Sequence, residues 1–597
     1  NPLAALQIRD GSKQSSYYVN FALDIDIIKD MLSAKLLYGV NKENGKRSAY
    51  IPKDVYWGLV RKSRGSLGYN ERQYETMEGT LSFRHKFWNM IDVNAVAGMG
   101  RYLDKGTGMT VSYQNANDMI NDSNLAAADG PFSPTSYKYE NEKRSQFLRA
   151  SFDVLDRYVL TGTLRRDGTD KFFPDKKYSL FPSASVAWKM SNESFMQHLS
   201  WLNLLKVRAS YGVTGSDNLG TSLYGIIGIS REDVKFSNSG VTYVPYALQS
   251  ANYSDVTWQK TAMKNIGLDF SILKDKIWGS LDFFRNDVTN LLGTAPTSLL
   301  NMYGYRPING GHYKRTGVEL SLNTLNIQTP NFKWTSSLAL SHYNAYWIER
   351  MPNFDYKKYQ KRENEPMSAY YYYKTVGVIN EDRSNMPDSQ RSLPREAQLP
   401  GYPIIDDRNG DGKIDIDDIY MDNTLPKVYY GFGNTFTYKN FDLDIYMYGQ
   451  LGVKKFNSTH ASNCSAANLA SGTLASNPTD YAYAIWNSQT NPNGTVPGIA
   501  SSKSVALPEN APINTFWEKA SFLRVRNITL GYNWDTRKLA FLKGNVQTIR
   551  LFVDFQNPFT LTKFEGDDPE ITTAAGNLGH GQYPQLRVYS FGAKISF

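Results

Sequence analysis

Residues 205–214 read LKVRASYGVT, with Leu205, Val207, Ala209, Tyr211 and Val213 on one parity and Lys206, Arg208, Ser210, Gly212 and Thr214 on the other. A period of two makes this a strand with one apolar and one polar face. The pattern recurs along the chain. Phe441, Leu443, Ile445 and Met447 oppose Asp442, Asp444, Tyr446 and Tyr448; Ile549, Leu551, Val553 and Phe555 oppose Arg550, Phe552, Asp554 and Gln556; Val318, Leu320 and Leu322 oppose Glu319, Ser321 and Asn323. Leu148, Ala150, Phe152 and Val154 run into a turn at Asp156-Arg157 and return through Leu160, Gly162 and Leu164. Roughly eighteen such segments can be read, many of roughly 9–12 residues, enough to cross a bilayer at a tilt.

The joints between these segments are of two kinds. Some are very short, such as Asp156-Arg157 and Lys439-Asn440; others are long polar stretches, at 102–142, 214–253, 346–425 and 453–513. Short turns on one side and long loops on the other is the pattern of an outer-membrane β-barrel. A soluble all-β protein spaces its strands more evenly and rarely carries such long structureless loops. A propeller repeats every ~40–50 residues with a shared motif, and no such repeat is present. The fold class read here is an all-β, transmembrane antiparallel barrel over residues 1–597 with long extracellular loops. It displaces the prior of roughly four domains that length alone gives.

Composition narrows the function classes. Lys and Arg number 66 against 57 Asp and Glu, a net charge of +9 in 597 residues, spread along the chain. That gives no basic face for nucleic acid. With 41% hydrophobic and 21% charged residues the chain is too apolar for disorder. No apolar run reaches helical-span length and mean hydropathy is −0.48, which excludes helical spans but not a barrel. Aromatic residues make up 14%, and Tyr (41) outnumbers Phe (29). Rings with a polar tip suit a boundary between lipid and water. Cys464 is the single cysteine, so neither an internal disulfide nor a multi-cysteine metal site is available. The chain opens Asn1-Pro2-Leu3 without a signal sequence; either one has been removed or this is not the natural start.

Several stretches, in order, resemble the SusC-like (SusC/RagA) TonB-dependent outer-membrane transporters of Bacteroidetes. They are FPSASVAWKMSNESFM (181–196) with LKVRASYGVTGS (205–216), NIGLDFSILKDKIWGSLDFFRNDVTNLL (265–292), KRTGVELSLN (314–323), DDRNGDGKIDIDD (406–418) with LPKVYYGFGNTFTYKNFDLDIYMYG (425–449), KASFLRVRNITLGY (519–532), LFVDFQNPFTLTKFEGDDPE (551–570) and YPQLRVYSFGAKISF (583–597). The resemblance implies an antiparallel barrel of about 22 strands with an internal plug, a SusD-like lipoprotein over the extracellular mouth, and import driven by TonB. No plug-like domain or TonB box is read in these residues. The sequence therefore reads as the C-terminal, barrel portion of a longer transporter in a Gram-negative outer membrane. The function expected is active import of oligomeric nutrients, glycans before peptides. A passive porin or structural envelope barrel, and a glycan-binding surface adhesin, are the alternatives.

Four features are candidates for sites. Asp407, Asn409, Asp411, Gly412, Lys413 (through its carbonyl) and Asp418 match a calcium loop at positions 1, 3, 5, 6, 7 and 12, with Asp in place of Glu at the last; the competing reading is a solvated Asx/Gly turn. No cofactor is required, and calcium is the one ion the motif admits. Tyr370, Tyr371, Tyr372 and Tyr373 read either as interfacial girdle rings or as a platform that stacks sugar or peptide; Tyr303, Tyr305 and Trp57 carry the same two readings. Phe597 reads either as an ordinary lipid-facing aromatic at a strand end or as the C-terminal aromatic that the resemblance implies is an assembly signal, and alternation running to the last residue favours the second. Residues 457–502 hold Asp480 as their only charged residue, which suits either a cover that contacts a partner or a solvated loop. No catalytic residues emerge: the six histidines are dispersed, and neither a nucleophile elbow nor a P-loop is present. An enzyme is not expected.

Overall fold

The computed structural model describes residues 6–55, 63–115, 125–219, 223, 226–229, 236–238, 241–243, 246–250, 252–298, 305–360, 364–463, 483–498, 507–535, 546, 548–566, 568–570 and 585–596. Among these residues eighteen strands hydrogen-bond into one sheet, in line with the count from alternation. The chain falls into two compact units. One comprises Asn1–Trp188, Ser210–Ala262 and Asn290–Gly310; the other comprises Lys189–Ala209, Met263–Thr289 and Gly311–Phe597.

In the first unit, strands β1 (Arg9–Ile28), β2 (Leu32–Ile51), β3 (Arg64–Phe87), β4 (Ile91–Gln114), β5 (Phe132–Val154), β6 (Tyr158–Thr169) and β7 (Tyr178–Lys189) follow one another as an antiparallel meander. The turns at 29–31, 88–90 and 155–157 use left-handed residues, among them Asp30, Asn89 and Asp156, at φ of 60°, 55° and 54°. Short polar side chains tolerate that region best. The opposite ends are joined by longer segments. Near the short turns the outer parity is apolar and exposed, with Leu148 at 54% and Leu164 at 46%. Toward the other end it gives way to cross-strand ion pairs such as Lys42–Glu71 at 2.9 Å and Lys105–Glu140 at 3.7 Å.

The stretch 102–142 is not the loop that sequence reading made it. β4 continues to Gln114 and β5 begins at Phe132. At ~3.4 Å per residue a 24-residue strand spans ~80 Å. That exceeds a hydrocarbon core of ~25–30 Å even when tilted, so the hairpin projects well beyond the bilayer. Gly106 and Gly108 look like loop residues but are strand residues shielded by rings. A Cβ would lie 2.3 Å from the Tyr139 ring at Gly106 and 2.5 Å from the Tyr137 ring at Gly108. These two tyrosines sit opposite the glycines and stack on each other. The same unit holds a separate core of Phe172, Phe181, Leu223, Tyr253, Val256 and Trp258, in which the Trp258 indole donates to the Lys177 carbonyl at 3.0 Å.

In the second unit Phe332–Glu349, Val428–Tyr438, Phe441–Leu451, Phe522–Asp535, Thr548–Gln556 and Val588–Ser596 pair in that order, antiparallel throughout. Lys439-Asn440 is the two-residue joint expected, with Lys439 at φ 53°. The stretches read as loops at 346–425 and 453–513 contain folded structure. Ala369–Tyr372 pairs with Tyr420–Asn423, Thr375–Val378 with Pro403–Ile405, and Lys454–Phe456 with Trp517–Lys519. These hairpins enclose a core that includes Tyr371, Tyr373, Ile379, Ile405, Ile419 and Ala511. The segment between Glu349 and Val428 is thus a small cap whose interior is completed by Leu507 and Ala511.

Candidate functional site

The polar parity of the second unit's strands carries the charges that alternation placed there. Lys206 and Arg208 reach Asp269 at 3.1 Å, and Arg208 also reaches Asp282 at 2.7 Å and the Asn265 amide oxygen at 3.2 Å. Asp442 pairs with Arg550 and accepts from the Asn533 amide at 2.6 Å. Asp444 accepts from Thr435, and Asp554 from Thr529. The basic side chains among these are paired across the strands, Asp444 and Asp554 take threonine hydroxyls, and none is deeply buried; Arg208 keeps 31% of its side chain exposed. Such a surface is hydrophilic without being of one sign.

The tyrosine run lies in the cap, on the hairpin that pairs 369–372 with 420–423. This corrects both readings for Tyr371, Tyr372 and Tyr373. Tyr371, Tyr372 and Tyr373 are buried, and a ring without an exposed face stacks neither lipid nor ligand. Tyr372 donates to Asp422 at 2.8 Å and Tyr373 to the Asp415 carbonyl at 2.9 Å, while Tyr371 donates to Glu365. Tyr370 packs its ring 3.9 Å from that of Trp517. Burial pushes the Tyr370, Tyr372 and Tyr373 hydroxyls well above the usual phenol range. The rings are the cap's interior. Tyr305 stays 68% exposed, at the start of a strand. Trp57, Tyr303 and Phe597 lie outside the described residues.

The calcium-loop residues sit on the same cap. Gly410 and Gly412 adopt φ of 73° and 81°, which lets the chain reverse as the motif requires. Asp407 accepts from the Gly410 and Gly412 amides at 2.8 and 2.9 Å, Asn409 from Asp411 at 3.1 Å, and Asp411 from Lys413 at 2.9 Å. Asp418 is buried and accepts from the Arg408 and Asp415 amides, both at 2.8 Å. Burial raises its carboxyl above the ordinary range against the pull of those amides. The donor chemistry suits a hard cation. As folded, however, the loop satisfies its carboxylates with its own backbone. Among the described residues, Asp407, Asp411 and Asp418 do not form a group with donor atoms within 4.8 Å of one another. Beside the loop, the Lys374 ammonium, 2.8 Å away, and the Tyr420 hydroxyl hold Asp406 below the usual carboxylate range.

Two further polar clusters carried no signal in the sequence. Arg524 is buried against Asp568 at 2.9 Å and Glu570, with Lys455 donating to the Glu570 carbonyl at 3.2 Å. Burial lowers the Lys455 ammonium. His460, Glu518 and Glu565 bring an imidazole and two carboxylates within 4.8 Å of one another, with His460 Nδ1 and Glu518 at 3.0 Å. The partners in each cluster are more than forty residues apart in the chain, so no local spacing announces them.

The family described as TonB dependent receptor-like, beta-barrel matches residues 5–557. TonB-dependent receptor P3 of Formosa agariphila is 26% identical over all of this chain and 60% of its own length. TonB-dependent receptor SusC of Bacteroides thetaiotaomicron is 27% identical over 78% of this chain and 44% of its own length. Among solved structures, the RagAB peptide transporter shares the fold, at a TM-score of 0.78 and 18% identity over all of this chain and 63% of that one. The chain therefore spans about 60% of the length of relatives that it matches end to end.

Proposed function

Because this chain belongs to the TonB-dependent receptor β-barrel family, a family of Gram-negative outer-membrane transporters, we propose that it is the barrel wall and extracellular cap of a SusC-type active importer of oligomeric nutrients. Glycans are the first substrate class and peptides the second. A SusD-like lipoprotein covers the mouth, and TonB supplies the pull through a plug. The observation that carries this reading is the polar parity of the strands. Lys206, Arg208, Asp269 and Asp282, with Asp442 and Arg550, present balanced, part-exposed charge on the face opposite the lipid. A large neutral or zwitterionic solute can pass such a surface without being held by it. Exposed rings on the loop side, such as Tyr305, are available for sugar stacking.

The test is uptake by cells that carry or lack the full-length gene, on panels of oligosaccharides and oligopeptides, with and without a functional TonB. Loss of growth on an oligosaccharide, reproduced by loss of TonB, is the expected result. Uptake that persists without TonB would make the protein a passive pore. Loss confined to oligopeptides would reverse the substrate order.

A further inference from the structure

The lipid-facing parity of the first unit changes character along the strands. Near the short turns Leu81, Ala97, Leu148, Leu164 and Pro182 lie directly opposite one another from β3 to β7. One row toward the long loops, Met99, Gln146, Arg166 and Leu180 are opposed; one row further, Met77, Arg101, Arg144, Gly168 and Tyr178. Directly opposed residues share a face. Three guanidiniums therefore stand on the face that is otherwise hydrocarbon-facing. Arginine on a barrel's lipid face is costly at the bilayer midplane and nearly free at the interface, so these rows mark the outer boundary. Tyr178, whose ring lies 4.2 Å from the Arg166 guanidinium, is placed as an interfacial ring would be.

Charge and shape then point the same way. Arg101 and Arg144 share one carboxylate, Glu142, with Arg101 at 2.6 Å, and both remain about half exposed. Arg166 is exposed as well. Below them runs a groove of about 620 Å³ among Leu36, Tyr38, Met77 and Met99, with all three arginines on its rim. A second groove of about 710 Å³, lined by Leu81, Leu148, Leu164 and Leu180, shares Leu36, Met99, Gln146 and Arg166 with the first. The result is an apolar trough in the wall that ends under a cationic rim at the outer-leaflet side.

We propose that this trough binds a phosphorylated glycolipid of the outer leaflet, with acyl chain in the groove and phosphate on Arg101, Arg144 and Arg166. Guanidinium pairs with phosphate through two parallel N–H donors, which suits these side chains better than lysine. The apolar rows beneath match the acyl chains that a free phosphate or sulfate lacks.

The test titrates lipid A into the full-length transporter in phosphatidylcholine-containing micelles and counts bound lipid by native mass spectrometry. The triple variant Arg101→Gln, Arg144→Gln, Arg166→Gln is expected to bind roughly a hundredfold more weakly, at about one interfacial arginine's contribution for each change. Dephosphorylated lipid A should lose comparable affinity on the unaltered protein, an arm that needs no variant to fold. Heat-dependent gel mobility checks that the variant barrel is intact. Equal binding of lipid A and its dephosphorylated form would overturn the proposal. So would saturation by phosphatidylcholine alone, or a trough occupied by a second copy of the transporter and no lipid.

Discussion

Replacing Tyr373 should open the cap and leave the wall intact. The ring is fully buried. Its hydroxyl donates to the Asp415 carbonyl at 2.9 Å, its backbone N–H to the Pro512 carbonyl at 2.8 Å, and its own carbonyl accepts from Asn514 at 3.2 Å. It therefore ties the tyrosine hairpin both to the Asp407–Asp418 loop and to the segment around Ile513. Tyr373→Ala deletes a buried aromatic side chain, which costs ~3–5 kcal/mol where the site cannot collapse. Tyr373→Phe keeps the ring and leaves the Asp415 carbonyl without that donor, at ~1–2 kcal/mol. In opening equilibria these correspond to about a thousandfold and about tenfold. The assay is protease cleavage of the full-length protein in outer membranes, under conditions where cleavage tracks the opened population, with heat-dependent gel mobility reporting on the wall. The Ala variant should be cut in the cap far faster than the Phe variant, and both should keep the wall's mobility shift. Two results would refute the reasoning: Phe as damaging as Ala, or an Ala variant that keeps full protection but loses substrate. The second would mean that the ring serves a ligand after all.

Arg524→Ala should loosen the segment holding Asp568 and Glu570 by ~3–5 kcal/mol, because it strands a buried carboxylate. Adding Asp568→Ala should recover a large part of that loss, read as amide exchange at Glu570; additive losses would show that the pair is not coupled. Asp418 makes the cap pH-sensitive in an unusual direction. Its folded carboxyl titrates above the unfolded value, so the folded cap holds the extra proton between the two, and stability falls as pH rises through that window. Cap protection of wild type relative to Asp418→Asn should therefore rise on acidification through that window and stay flat below the ordinary carboxylate range. Calcium, which favours the ionised form, should flatten the slope; a slope of opposite sign would sink the argument.

The wall was legible because its information is local. Period-two alternation needs only neighbours in sequence, and the joints at Asp156-Arg157 and Lys439-Asn440 declare themselves by composition. The cap was not legible, for the converse reason. Whether Tyr372 is a platform or a core ring depends on Tyr420, its partner forty-eight residues on in the hairpin, and nothing near Tyr372 encodes that pairing. Gly106 and Gly108 misled in the same way: a glycine pair beside Lys105 reads as loop until Tyr139 and Tyr137 arrive from the opposite strand to cover it. Arg524 and His460 gave no sign because their partners sit beyond other strands. The Asp407–Asp418 motif was visible as spacing, but spacing does not say that backbone amides already occupy the carboxylates.

The two kinds of charge placement explain where selectivity must lie in the importer proposed above. On the wall, ion pairs such as Arg208 with Asp282 and Arg550 with Asp442 stay part-exposed and alternate in sign. Part-exposed pairs add little to stability, and their mixed sign gives a passing solute no net field to bind. Removing one of them should alter passage only mildly. In the cap, and at the strand end that carries Arg524, the Arg524 guanidinium, Asp418 and the Tyr372 and Tyr373 hydroxyls are buried and engaged. A misplaced partner there leaves a polar group without water, so the surrounding backbone is held in one arrangement. A wall that discriminates weakly, beneath loops that hold a defined shape, assigns recognition to the loops. Grafting the cap 350–427 onto a homologous wall should then carry substrate choice with it, whereas exchanging wall strands such as Phe441–Leu451 should not.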